Sequence, residues 1–137
     1  MIDMDEECLI CKIVKGELPS YTLYEDDEIK VFLDIYPMSK GHSLFVPKKH
    51  LEQIFDLSET EMNFTKKIPE ITSRLKQITG ATGLNIIQNN GRDAGQILNH
   101  IHFHLVPRFP EDGLNLIPPK IELTEETAIE LVKMFNN

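Results

Sequence analysis

Hydrophobic residues along this chain switch between a helical and an alternating period, and the switches delimit its elements. From Cys8 to Lys15 the apolar positions Leu9, Ile10, Ile13 and Val14 recur at helical spacing, and Gly16 and Pro19 end the pattern, so a short helix is expected. Tyr21 to Tyr24 and Ile29 to Ile35 are rich in aromatic and β-branched residues and flank the polar run EDDE, the pattern of a hairpin. The loop YPMSKGH leads to a third strand, SLFVP, stopped by Pro47. The strongest helical signal follows. Ser58 and Glu61 have capping-box spacing, and Phe64, Ile68, Ile71, Leu75 and Ile78 fall on one face. Pro69 lies inside this run and predicts a kink; Gly80 and Gly83 end it. LNIIQ reads as a fourth strand, NNGRDAGQ as a polar loop and HIHFHLV as a fifth strand. After a loose connection, PEDGLNLIPP, Thr124 is placed to cap a last helix with Ala128, Leu131, Val132 and Phe135 on one side. The expected fold is α+β: one domain over residues 1–137, with a five-stranded, mostly antiparallel sheet, one long inserted helix and short helices at both ends.

Three histidines occupy alternate positions of the last strand signal: His100, His102 and His104, out of five in the chain. Strand geometry puts them on one face about 6.6 Å apart, with Ile101, Phe103 and Leu105 on the other. Three imidazoles on one face can bind a metal, exchange protons or attack an electrophile. The plain alternative is a polar strand face that happens to be rich in histidine.

Composition narrows the partners. Twenty-two acids against fourteen bases give a net charge of −8, which argues against a general nucleic-acid or anionic-membrane binder. A small phosphorylated ligand needs only a local set of donors and stays open. No stretch has the length of an apolar membrane span, and the acidic start MIDMDEEC is unlike a signal peptide, so a cytoplasmic protein is expected. In a reducing compartment Cys8-x-x-Cys11 suggests half of a metal site or a redox pair more than a structural disulfide. The surrounding βαβ context of a thioredoxin-like pair is missing; two partly buried cysteines on a short helix are the plain reading.

HIHFHLV resembles the signature of the histidine triad family, in which three histidines alternate with apolar residues. GRDAGQ before it, and CLIC, GELPS and YEDDEIKVFLDIYPMSKGHSLFVPKKH upstream, are similar to the bacterial branch close to the nucleoside phosphoramidases. The likeness runs from about Cys8 to Arg108. It implies a hydrolase or nucleotidyl transferase acting at the α-phosphorus of purine nucleotide derivatives. His102 would be the nucleophile, its tautomer held by the carbonyl of His100. His104 would donate to the phosphate oxygens, and His42 would be the additional active-site histidine. Asn89 and the backbone of Gly95 and Gln96 would complete a phosphate cradle, although Asn89 alone reads equally well as a loop cap. Asp34 would bind the ribose hydroxyls, with Leu9, Ile10, Ile13, Phe32, Leu33 and Ile35 around the base. The resemblance also implies a structural zinc held by Cys8, Cys11, His50 and His100, no catalytic metal, and a homodimer whose two sheets abut. Some members carry a serine or threonine directly after the Gly-Gln pair; here Ile97 removes that hydroxyl.

Aminoacyl adenylates, nucleoside phosphoramidates and dinucleoside polyphosphates all fit as substrates. Two other classes remain: a metal-dependent hydrolase using the three histidines as one cluster, and a non-catalytic nucleotide-binding interaction protein.

Overall fold

Alternation along the strands decides which residues of the sheet meet which helix. The computed structural model describes residues 7–137, so the acidic start over residues 1–6 lies outside it. Its strands are β1 (Thr22–Glu25), β2 (Ile29–Leu33), β3 (Ser43–Pro47), β4 (Gly83–Gln88) and β5 (Phe103–Arg108). They form one antiparallel sheet in the order β1-β2-β3-β5-β4. One face presents Ile29, Val31, Phe45, Phe103 and Leu105 to Phe64, Ile71 and Leu75 of the long helical segment. Phe45 is the centre of this core, its ring 6.2 Å from that of Phe64 and 6.3 Å from that of Phe103. The opposite face presents Phe32, Leu44 and Val46 to Ile10 and Val14 of α1 (Leu9–Lys15). The expected α+β architecture is therefore the one observed.

Local chemistry accounts for the helix ends. Cys8 caps α1, its sulfur accepting from the Cys11 N–H at 3.3 Å, and Gly16 closes the helix in the left-handed conformation at φ 83°. Ser58 and Glu61 make both bonds of the capping box, at 3.0 and 3.1 Å. The segment that follows starts as a 3₁₀ helix, Glu61–Lys67, and continues as α2 (Ile68–Thr79). Pro69 therefore does not kink a continuous α-helix. It sits in the first turn of α2, where its missing N–H has no intrahelical acceptor to lose. Two other expectations shift: Ile78 is exposed, and Gly83 opens β4 while Gly80 caps α2. Thr124 caps α3 (Glu125–Phe135), whose apolar residues Ile129, Leu131, Val132 and Phe135 are all exposed.

The largest departure concerns the fifth strand. The ladder begins at Phe103, so His100, Ile101 and His102 precede it. Continuing the β3–β5 register would set Pro47 opposite Ile101, but Pro47 has no N–H and its carbonyl accepts from the His100 ring. Ile101 instead donates its N–H to the carbonyl of Leu51 at 2.6 Å. The inward side of the alternation survives, since Ile101, Phe103 and Leu105 all enter the core. The outward side survives as well: His104 pairs with Leu44 on the α1 face, His102 stands beside it, and His100 meets Cys8 and Cys11 of α1.

Candidate active site and metal centre

The face of the sheet beside α1 also carries two histidines. In β3 the residues alternating with the core-facing Phe45 are Leu44 and Val46, and one step further back lies His42. Leu44 pairs with His104 of β5. Gly41 sets the approach to His42 at φ 88°, and a side chain there would meet Thr79 Cγ2 at 2.7 Å.

Hydrogen bonds assign the tautomer of each ring. The Met38 N–H donates to His42 Nδ1 at 2.9 Å, so neutral His42 carries its proton on Nε2. That Nε2 lies 3.0 Å from His104 Nδ1 and donates to it. His104 then carries its own proton on Nε2, directed away from His42. His102 is set the opposite way. Its Nδ1–H donates to the His100 carbonyl at 2.7 Å, leaving a lone pair on Nε2. The rings of His102 and His104 stand 5.0 Å apart at 71°. A nucleophilic nitrogen and an N–H donor therefore lie side by side, the pairing that attack on a phosphorus and support of its oxygens require. Burial keeps these donors neutral: it pushes His104 down to about 4, with His102 and His42 adding to the effect and Asp34 opposing it. Burial also lowers His42, again against Asp34.

Asp34 adjoins this pair. One carboxylate oxygen accepts from the Tyr36 N–H at 2.8 Å, and the other lies 3.6 Å from His42 Nε2. Asp34, His42 and His104 thus form a cluster of potential metal ligands. The tautomers oppose that use, because His42 Nε2 carries a proton and His104 Nδ1 accepts it.

The loop 89–96 is held from within. The side-chain oxygen of Gln96 accepts from the Gly91 N–H at 2.8 Å, and its amide donates to the carbonyls of Glu52 and Leu98 at 2.8 and 3.0 Å. The backbone N–H groups of Gly95 and Gln96 donate to Arg92 and Gly91 within the loop. Asn89 is half-buried, its amide nitrogen beside Gly95. Ile97 follows with 88% of its surface exposed. Of the residues expected around a base, Ile10 and Phe32 are buried in the core; Leu9 and Ile35 are exposed, and Ile13, Leu33 and Asp34 are intermediate.

His100 belongs to a second centre. Its Nε2–H donates to the Pro47 carbonyl at 2.8 Å, so Nδ1 offers a lone pair, 3.5 Å from the sulfur of Cys8 and 3.5 Å from that of Cys11. His50 Nδ1 lies 3.3 Å from the Cys11 sulfur, and its Nε2 is 3.5 Å from a carboxylate oxygen of Glu52. Burial pushes His100 down to about 4, against the Pro47 carbonyl, so its ring is neutral. These four side chains can hold a metal ion. Behind His100 the Pro47 carbonyl gives the usual outer support of a ligand. The sequence brought Cys8, Cys11, His50 and His100 to notice together, but not the carbonyl of Pro47, the N–H of Met38 or the hold that the Gln96 side chain has on the loop. Each acts through chain geometry that no residue type announces.

Comparison with known proteins places these features in a lineage. A family model described as HIT domain matches residues 15–111. The HIT-like protein MJ0866 of Methanocaldococcus jannaschii is 48% identical over 107 residues, 77% of this chain and 82% of that protein. The adenosine 5′-monophosphoramidase hnt1 of Schizosaccharomyces pombe is 39% identical over 123 residues, 87% of this chain and 88% of that protein. The crystal structure of SMU.412c from Streptococcus mutans UA159 superposes with a TM-score of 0.93 at 39% identity, covering 99% of this chain and 87% of that one.

Proposed function

The chain belongs to the HIT family, and on that premise we propose that it is a nucleotide hydrolase or nucleotidyl transferase that cleaves at the α-phosphorus of purine nucleotide derivatives. One observation carries the reading: His102 keeps a lone pair on Nε2, and the His104 ring, with its proton on Nε2, stands 5.0 Å from the His102 ring. His102 Nε2 forms a bond to phosphorus while the bond to the leaving group breaks. The leaving group departs with the bonding pair and takes a proton from water. Water then attacks the nucleotidyl-histidine, releasing the nucleotide and restoring His102. His104 donates to the phosphate oxygens throughout, and Asn89 adds a donor from the loop 89–96. Asp34 accepts from the ribose hydroxyls, which separates nucleotides from simple phosphate esters.

The metal of the second centre is read as structural zinc. Zinc bonds of about 2.3 Å to sulfur and about 2.0 Å to nitrogen at tetrahedral angles give sulfur–nitrogen edges of roughly 3.5 Å. Three of the four such edges measure 3.3, 3.5 and 3.5 Å. Zinc bound there would neutralise the thiolates and tie α1 to the segment before β5. Metal-dependent hydrolysis on the triad is disfavoured, because His100 Nδ1 faces the cysteines and His102 Nδ1 is taken by a carbonyl. A homodimer is supported by the free edge of β4 and the exposed apolar face of α3.

Turnover of adenosine phosphoramidate tests the reading. The wild type should release AMP, and His102→Asn should lose activity by on the order of 10⁴-fold or more. Binding of AMP with no turnover by the wild type would favour the non-catalytic alternative.

A further inference from the structure

Helix α1 carries three stripes that face three different tasks. At about 100° per residue, Leu9 and Ile13 share one stripe, Ile10 and Val14 the next, and Cys8 and Cys11 the third. Ile10 and Val14 are buried against Phe32, Leu44 and Val46. Cys8 and Cys11 face His100, and Cys11 also faces His50. Leu9 keeps 46% of its surface exposed, on the stripe it shares with the partly buried Ile13.

The two ends of this helix are held by different means. At its C-terminal end the buried Lys30 donates to the carbonyl of Ile13 at 3.2 Å, and Gly16 closes the last turn. At its N-terminal end the cap is Cys8 itself, whose sulfur accepts from the Cys11 N–H and sits 3.5 Å from His100 Nδ1. Seven residues make a helix too short to persist through its own hydrogen bonds. Ile10 anchors the first turn to the core on one side, and what fixes the two cysteines anchors it on the other; Leu9 is in that turn.

We propose that the Cys8, Cys11, His50 and His100 centre positions the nucleoside wall of the active site: a metal held there fixes the first turn of α1 and with it Leu9, so metal occupancy and nucleoside affinity are linked. Ile13, held by Lys30 and the core, contributes to the wall without depending on the metal. The inference rests on the nucleoside-binding reading above. By reciprocity, whatever factor the metal adds to nucleoside affinity, the nucleoside adds to metal affinity.

The test uses adenosine and guanosine, which lack a phosphate and so do not draw on His102 or the loop 89–96. Each is titrated by NMR into zinc-loaded protein and into protein stripped with EDTA. Stripping should weaken nucleoside binding about tenfold. In a separate arm, which needs no folded metal-free protein, saturating nucleoside should raise the EDTA concentration that removes half the zinc by a similar factor. Leu9→Ala should weaken nucleoside binding and abolish this shift; Ile13→Ala should weaken binding and keep it. Nucleoside binding with an unmoved EDTA midpoint in the wild type would overturn the linkage alone. Equal loss of the shift in both variants would overturn the assignment to the first turn. Failure of zinc-loaded protein to bind either nucleoside would overturn the nucleoside reading itself.

Discussion

His42 offers two substitutions that separate its two hydrogen bonds. The ring receives the Met38 N–H on Nδ1 and donates from Nε2 to His104, at 2.9 and 3.0 Å. In His42→Asn the side-chain oxygen falls near the place of Nδ1, so the Met38 bond is kept and the His104 bond is lost. In His42→Gln the amide reaches the place of Nε2, so the donor to His104 is kept and Met38 loses its acceptor. Losing a positioned donor to a transition-state oxygen costs about 10²- to 10³-fold in kcat. His104 without its partner still adopts the Nε2–H tautomer part of the time, so His42→Asn should lose less than that, roughly severalfold to tenfold. Leaving the Met38 N–H unpaired costs about 1–3 kcal/mol of stability. His42→Gln should therefore lose stability of that order and keep most of its kcat. Steady-state turnover of adenosine phosphoramidate and urea unfolding measure the two effects, and ¹⁵N shifts of His104 report its tautomer. Wild-type kcat in His42→Asn, or a His104 ring protonated on Nδ1 in the native enzyme, would refute the hydrogen-bond chain.

Three further outcomes are expected. His104 is held at about 4 against an ordinary 6.5, so between these values the unfolded chain binds more protons; stability is retained above pH 6.5 and falls by up to about 3 kcal/mol as pH drops toward 4. Urea midpoints across that range measure it, and His104→Asn should flatten the slope. Gln96→Ala removes three bonds, one to Gly91 within the loop 89–96 and two that tie the loop to Glu52 and Leu98, and should cost about 2 kcal/mol or more in urea unfolding while raising KM for the phosphorylated substrate. Purified protein should carry about one zinc per chain by elemental analysis. Cys8→Ser and His50→Ala should lose most of it, and full zinc in both would defeat the ligand set.

Much of the fold was legible because apolar periodicity is read directly by the core. The Phe64, Ile71 and Leu75 stripe, the hairpin around EDDE and the caps at Ser58 and Thr124 needed only local rules. The start of β5 was not legible, because it depends on what the facing strand offers. Pro47 supplies no N–H, and its carbonyl is claimed by His100. Alternation did place the three histidines on the face that meets α1, where His100 reaches Cys8 and Cys11. Pro69 misled as a kink, since its effect depends on whether the preceding turn is already α-helical. In the site, the residue types were visible, but the protons were not. A Met38 amide and a His100 carbonyl decide which nitrogen keeps a lone pair and which carries a proton.

The central claim is that His102 Nε2 becomes covalently bonded to phosphorus, and rapid-quench intact-mass analysis with adenosine phosphoramidate tests it most directly. The expected result is a transient adduct one adenylyl group heavier than the chain, acid-labile, mapping to His102, and absent in His102→Asn, which should also fail to turn over. Normal turnover by His102→Asn, or an adduct that maps to another residue, would contradict it.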